Sequence, residues 1–215
     1  MKLRNSFHCV PLLACFALPA FAQSSGDLSV TGTLVPGPCS IVLGSGGVGD
    51  FGTVDTSTLL DVGMKTLPTE PTISLNVTCT SPRLISMTVH DNQMGTVATN
   101  LQSIAEWFGF GLTSTGQPIG GWRIMTEDAM INGAPVDTLE STDGVTWTAA
   151  DFGWHMENHA GAPQKFRAWG AAAPQAVSTA SWNLDLLAQI NGRSELMLTQ
   201  DTPLDGSAVI QINYL

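Results

Sequence analysis

Short stretches of alternating apolar and polar residues recur along the chain between turn signals. The stretch Thr72–Cys79 places its apolar side chains on one face, and the longer stretch Trp182–Ile190 alternates in the same way. A period of two is typical of a half-buried β-strand. Further candidate strands are Leu28–Val35, Leu84–His90, Trp107–Leu112, Trp122–Met125 and Ser207–Leu215. The sequences SPR at 81–83 and NGR at 191–193 predict turns after two of these strands. This spacing predicts an all-β protein, a β-sandwich with Greek-key-like connections.

The pattern is less regular between about residues 126 and 180. Pro135, Asp143-Gly144, Pro163 and Pro174 interrupt it. Because proline and glycine favour turns over long strands, we interpret this region as long loops or an irregular insertion over the sandwich. A short helix is also predicted near residues 100–107.

The first 22 residues carry the pattern of a secretory signal peptide. Two basic residues in the first four positions precede an apolar run from Cys9 to Phe21, and Ala20–Ala22 forms a small-x-small cleavage site. The run is shorter than the roughly 20 residues that a transmembrane helix needs. We therefore predict an exported protein with one mature domain, residues 23–215, the alternative being an uncleaved anchor.

The cysteine content predicts a disulfide, and the net charge limits the kinds of partner that the protein can bind. Removal of the signal peptide leaves Cys39 and Cys79, and two cysteines in an exported chain predict one disulfide. The whole chain carries 8 Lys and Arg against 18 Asp and Glu, a formal net charge of −10. Nucleic acid and anionic membranes are poor partners for such an acidic surface, so we expect no nucleic-acid binding and no membrane insertion.

Two histidine motifs suggest chemistry but lack the context that it needs. His155 and His159 are four residues apart, a spacing that would place two metal ligands on one face of a helix. Glycine and proline around them make a helix a poor expectation. His90-Asp91 resembles part of a catalytic triad, but no GxSxG elbow accompanies it. We expect no metal, no cofactor and no enzyme, with a hydrolase that uses His90 or His155 as the third interpretation.

Six tryptophans are many for one domain. Trp182 belongs to an alternating stretch, which predicts a place in the core. Trp147, Trp154 and Trp169 lie in the irregular region, where indole rings on loops would stack on sugars. A self-sufficient β-sandwich that binds carbohydrate through these three residues is the alternative function.

Three segments together resemble the subunits of chaperone–usher pili, the fimbrial proteins of Gram-negative bacteria. They are VTGTLVPGPCSIVL around Cys39, ISLNVTC ending at Cys79, and the terminal strand AVIQINYL with its penultimate Tyr214. Among these proteins the chain looks most like the GltF-type fimbrial-like branch. The resemblance implies an immunoglobulin-like, pilin-type β-sandwich that lacks one strand, a Cys39–Cys79 disulfide, and a location in the periplasm or on the cell surface.

The resemblance also implies a function. In such subunits the last strand borders an open apolar groove, which a chaperone strand fills until a neighbouring subunit's strand replaces it. The chain would thus be a fimbrial-like structural or adhesion subunit, with a periplasmic pilus chaperone, an outer-membrane usher and other fimbrial subunits as partners. The contact residues would be Ala208, Ile210, Ile212, Tyr214 and Leu215. The alternative is a terminal strand paired on both sides in a complete sandwich.

Two features differ from a typical pilin. Only the polar residues 23–27, QSSGD, precede Leu28, so the chain is expected to accept a strand but to donate one poorly. The region 126–180 lengthens the chain and offers a place for a binding surface. Both features would suit a tip subunit, a terminator or a non-polymerising relative.

Overall fold

Two β-sheets form the framework of the part of the chain that the structure describes. The computed structural model describes residues 38–101, 105–150, 153–154 and 164–215. The strands are β1 (Cys39–Leu43), β2 (Met64–Thr66), β3 (Thr72–Arg83), β4 (Ile85–Asp91), β5 (Gly120–Ile131), β6 (Ala134–Pro135), β7 (Thr138–Ser141), β8 (Thr148–Ala149), β9 (Phe166–Trp169), β10 (Val177–Asn191) and β11 (Ala208–Tyr214). Short helical turns occupy Gly44–Gly47, Thr56–Thr58 and α1 (Arg193–Leu196).

The strands pair antiparallel in two layers. The first sheet has the order β1-β3-β10-β5-β6, with β2 paired to β10. The second sheet has the order β11-β4-β9-β7-β8. Buried apolar side chains from both sheets join one hydrophobic core. This arrangement confirms the predicted all-β sandwich. Among the residues that the structure describes, no helix is long and apolar enough to cross a membrane.

Alternation builds the two long central strands, β3 and β10. Along each strand, buried side chains alternate with side chains that face outward. The buried ones include Leu75 and Val77 of β3 and Trp182 of β10, which are at most 1% exposed. Trp182 lies opposite Leu75 in the antiparallel register. Burial of such a side chain stabilises the fold by about 1.5–3 kcal/mol, so these strands anchor the first sheet.

The disulfide joins the first two strands of this sheet. β1 pairs with β3 in continuous register, from Cys39 opposite Cys79 to Leu43 opposite Leu75. Cys39 and Cys79 form the predicted disulfide. The predicted first strand, Leu28–Val35, lies outside the described residues.

The chain passes from the first sheet to the second without the predicted turn at residues 81–83. β3 continues through Arg83, and only Leu84 separates it from β4. Proline lacks an N–H donor, which normally excludes it from a central strand. Here the pairing of β10 with β3 is irregular between Val177 and Thr179, and Pro82 lies in the stretch of β3 that has no regular partner on β10.

Several other predicted elements take a different form. Trp107–Leu112 contributes isolated bridges at Phe108 and Leu112 rather than a strand. The predicted tight turn at 191–193 contains the start of α1, for which Gly192 is the N-cap. The described residues between 100 and 107 contain no helix. In the region 126–180, β6 to β9 are two to four residues long. Alternation over so few residues cannot be recognised in a sequence.

The predicted turn at Asp143-Gly144 does connect two strands, β7 and β8. The Asp143 carboxylate accepts hydrogen bonds from the N–H groups of Thr146 and Val145 and from the Ser141 hydroxyl. These bonds favour the ionised form and hold the pKa of Asp143 far below its usual range. Aspartate suits position 143 because its carboxylate accepts hydrogen bonds from the N–H groups of the turn.

Three indole rings fill the core between β9 and β10, and we call them the tryptophan cluster: Trp154, Trp169 and Trp182. The rings of Trp169 and Trp182 stack with centroids 3.8 Å apart, and Trp154 meets Trp182 edge-on at 5.6 Å. Trp182 Nε1 donates to Thr138 Oγ1 at 2.8 Å, which ties the first sheet to β7 of the second. The cluster therefore holds the two layers together by both packing and hydrogen bonding.

Candidate functional site

The strands β1 and β11 each lie at an edge of their sheet. Among the described residues, β1 pairs only with β3 and β11 pairs only with β4. Within that part of the chain, each strand therefore presents one row of N–H and C=O groups without a strand partner. Such an edge is a template on which another extended segment can pair.

The inward side chains of these two strands are less buried than those of their neighbours. Leu43 and Ile212 are half-buried, although both pack against the core. Their register partners, Leu75 on β3 and Met87 on β4, are both 0% exposed. The apolar layer thus continues to the edge of each sheet but is not fully covered there.

A cavity of about 200 Å³ opens beside the two edge strands. The residues that line it include Leu43 of β1, Ala208 and Ile210 of β11, and Leu184 and Leu186 of β10. It shares Gly49, Phe51 and Leu204 with a second cavity of about 650 Å³. We call the two cavities together the edge cleft.

Tyr214 contacts both sheets at the far end of β11. Its hydroxyl accepts a hydrogen bond from the N–H of Cys39, with N and O 2.9 Å apart. The guanidinium of Arg83 lies 4.9 Å from the centre of its ring. Leu215 N–H donates to the Leu84 carbonyl at 3.1 Å, which continues the pairing with the second sheet. Tyr214 therefore joins β1 to β11 at one end, whereas the smaller cavity lies at the other end beside Leu43.

The predicted contact residues separate into two groups along β11. Ala208, Ile210 and Ile212 pack against the core as half-buried side chains, and the first two line the cavity. Tyr214 and Leu215 are exposed by 48% and 47% and lie at the closed end. Their roles as contacts for a chaperone stay a prediction.

The sequence pattern did not predict which residues form the opposite wall of the cleft. Phe51 lines both cavities and meets Phe110 edge-on, with ring centroids 5.9 Å apart. Gly49 allows this loop to approach the core, since a Cβ there would lie 2.3 Å from Leu186 Cδ1. The glycine-rich stretch 44–49 marks a special backbone in the sequence, but it does not show what that backbone contacts.

Two of the three tryptophans predicted to bind sugar are core residues. Trp154 and Trp169 are 1% and 0% exposed and belong to the tryptophan cluster. A sugar ring cannot stack on them in this arrangement. Trp147 is half-buried. Trp182, predicted in the core, is 1% exposed, which confirms that placement.

The histidine motifs contribute little to a site in the described residues. His90 lies on β4, and its Nε2 is 3.3 Å from Gln164 Nε2. The Asp91 carboxylate accepts hydrogen bonds from the N–H groups of Gln93 and Gly109 and so organises the loop after β4. His155 and His159 lie outside the described residues.

Comparisons with known proteins give two similarities. Residues 28–107 match the model of a family described as Protein of unknown function (DUF1120). The chain is also similar to Protein GltF of Escherichia coli (strain K12), with 24% identity over 252 residues that cover 100% of this chain and 98% of that protein. These similarities support a GltF-like protein. They do not by themselves extend to assembly by a chaperone and an usher.

Proposed function

We propose that the chain is an exported fimbrial-like subunit whose edge cleft accepts a β-strand from a partner. One observation carries the proposal: among the described residues, the edge strands β1 and β11 border one cavity whose lining side chains are mostly apolar. Leu43 of β1 and Ala208 and Ile210 of β11 are half-buried aliphatic side chains in its lining. A strand that pairs with β11 would gain main-chain hydrogen bonds and would place alternate side chains in the cleft.

The energetic gain from such a strand comes mainly from apolar burial. Ala208, Ile210 and Ile212 keep part of their surface exposed in the described fold. Full burial of an exposed large aliphatic side chain is worth about 1.5–3 kcal/mol, and these half-buried side chains would gain part of that amount when a strand covers them. Exposed alternating strands at a sheet edge also promote aggregation, which a protective partner would prevent.

The partners in this proposal are a periplasmic pilus chaperone, an outer-membrane usher and other fimbrial subunits. The signal peptide pattern in the sequence and the Cys39–Cys79 disulfide support a location in the periplasm or on the cell surface as part of this proposal. Its role would be structural or adhesive, and no catalytic step is required of it. Strand complementation, in which a partner's strand completes the sandwich, would be the mechanism.

Co-expression with a pilus chaperone from the same genome tests this proposal. We expect a stable complex that co-purifies from the periplasm. Ile210→Asp places a charge on the cleft face of β11 and should abolish the complex, because a carboxylate cannot be buried there without a partner. Gln211→Asp is the matched control, since Gln211 faces outward on the same strand.

Two results would contradict the proposal. One is the absence of any complex with the wild-type chain. The other is equal capture of both variants, which would show that the cleft face of β11 takes no part. Thermal unfolding of purified Ile210→Asp distinguishes loss of binding from loss of the fold.

A further inference from the structure

We propose that the partner strand carries a lysine or arginine where it leaves β11 at Ala208, and that Asp50 and Asp201 bind this side chain at the larger cavity of the edge cleft. The inference rests on the proposed function, because it takes the cleft as the acceptor of a strand. It adds the chemistry by which the protein would select that strand.

The larger cavity lies just beyond the first residue of β11. Residues 200–204 line this cavity, and the chain continues directly into residues 206–208, which line the smaller cavity beside β11. Phe51 lines both cavities, so the two adjoin. A strand that pairs with β11 and extends past Ala208 therefore comes to the larger cavity.

The floor of the larger cavity is apolar. Its buried lining residues are all aliphatic and at most 5% exposed: Leu59, Ile119, Ile190 and Leu196. The cavity measures about 650 Å³, which is more than a short side chain can fill. The methylene groups of a lysine or arginine can lie along such a surface while the charged group stays in water. The floor therefore suits the stem of a long basic side chain.

Two carboxylates lie in the lining of the same cavity. Asp50 and Asp201 are the only charged residues that line either cavity within the described part of the chain. Both are exposed, and neither forms an ion pair with a described Lys or Arg. The Asp50 carboxylate accepts a hydrogen bond from the N–H of Gly52 at 2.8 Å, which orients it within its loop. The larger cavity thus combines an apolar floor with uncompensated negative charge.

The positive charges of the described chain are engaged elsewhere. Each Lys or Arg side chain has a partner away from the two carboxylates: Lys65 the Thr58 carbonyl, Arg83 the Tyr214 ring, Arg123 both Glu106 and the Trp107 ring, Lys165 and Arg167 Glu140, and Arg193 Asp61. A cation that pairs with Asp50 and Asp201 would therefore come from the partner.

The lining also determines where on the partner strand this charge is placed. The smaller cavity has no charged lining residue among the described ones, so a basic side chain buried there would have no counter-ion. At the larger cavity the charged group meets two carboxylates at the surface. Exposed ion pairs add little affinity each, so this pair would mainly select among strands that already fit the apolar groove.

The test compares two synthetic peptides with blocked ends, RTVTVTVTR and QTVTVTVTQ, on the purified full-length exported protein. The end residues share a face with the valines, and both ends are substituted so that one reaches the larger cavity in either direction of pairing. Fluorescence anisotropy of the labelled peptides gives each Kd. We expect the arginine peptide to bind about three- to fivefold more tightly at about 50 mM salt, and the difference to vanish at about 500 mM.

A pair of matched double variants assigns the effect to the two carboxylates. Asp50→Asn with Asp201→Asn should remove the advantage of the arginine peptide, and asparagine still offers an oxygen to the N–H of Gly52. Glu127→Gln with Asp137→Asn is the control, because it removes the same charge from residues that line a different cavity. The control should retain the advantage in full.

The outcomes separate this inference from the proposed function. Suppose that both peptides bind and that Ile210→Asn, an uncharged change on the cleft face of β11, weakens both. Equal affinities in the wild type, or an advantage that persists without Asp50 and Asp201, would then overturn the inference while the acceptor function stands. If neither peptide binds, or if Ile210→Asn leaves binding unchanged, the cleft accepts no strand, and both the proposed function and the inference are wrong.

Discussion

Around Trp182 the two sheets are joined by stacked indole rings, whereas between β1 and β11 they leave an apolar cavity. The tryptophan cluster is at most 1% exposed, and Trp182 and Trp169 each donate a hydrogen bond to the opposite sheet. Close by, the fully buried Arg167 pairs with Glu140 at 3.1 Å. At the edge cleft the inward aliphatic side chains of the edge strands β1 and β11 are half-buried, and Tyr214 joins the sheets at one end.

This difference shows how one core can supply both stability and a binding surface. Close packing in the tryptophan cluster leaves no room for another segment, so that half holds the layers together. At the edge cleft, apolar surface and a strand edge are left uncovered by the other described residues. A partner strand could then bind without any disturbance of the packing that maintains the fold.

The largest expected effect comes from Trp182→Ala. The substitution removes the ring that contacts both Trp154 and Trp169, and it leaves a cavity in the best-packed part of the core. Buried Trp→Ala changes cost about 3–5 kcal/mol, which is a large share of the stability of a single domain. Urea unfolding followed by circular dichroism measures the loss. A cost below about 1 kcal/mol would show that the cluster does not hold the sheets together.

The sequence predicted the long strands well and the cleft only in part. In β10 buried residues alternate without a break from Ala180 to Ile190, so the buried face of this part could be predicted directly. The strands β6 and β8 have two residues each and give no such pattern. For the cleft, the terminal strand was recognisable, but the position of Phe51 depends on a close approach of Gly49 to Leu186 that no local pattern encodes.

The second prediction compares two leucines that lie opposite each other in register, Leu75 on β3 and Leu43 on β1. Leu75→Ala should cost about 2–5 kcal/mol, because the side chain is fully buried. Leu43→Ala should cost roughly 1–2 kcal/mol, since the half-buried side chain loses less apolar contact. Chemical denaturation of the two variants measures the difference, and the chaperone complex should reduce it. Equal losses in the isolated protein would contradict the half-buried state of the cleft wall and would indicate that a strand already fills it.

The smallest expected effect concerns the closed end of the cleft. Tyr214→Phe removes the hydroxyl that accepts the hydrogen bond from Cys39 N–H and retains the ring beneath Arg83. One neutral hydrogen bond contributes about 0.5–1.5 kcal/mol, and the 48% exposure of Tyr214 places this one near the lower limit. Thermal unfolding and hydrogen exchange at the Cys39 amide measure the loss.

Ser40→Ala is the matched control for this change, because the Ser40 hydroxyl donates to the Thr78 carbonyl within the first sheet and not across the cleft. Faster exchange at Cys39 in Tyr214→Phe but not in Ser40→Ala would show that the hydroxyl joins the two sheets at this end. Unchanged exchange in both variants would mean that the disulfide to Cys79 and the pairing with β3 hold β1 in place without the Tyr214 hydroxyl. In that case the cleft would have no closure at the Tyr214 end, and a partner strand could enter it from either side.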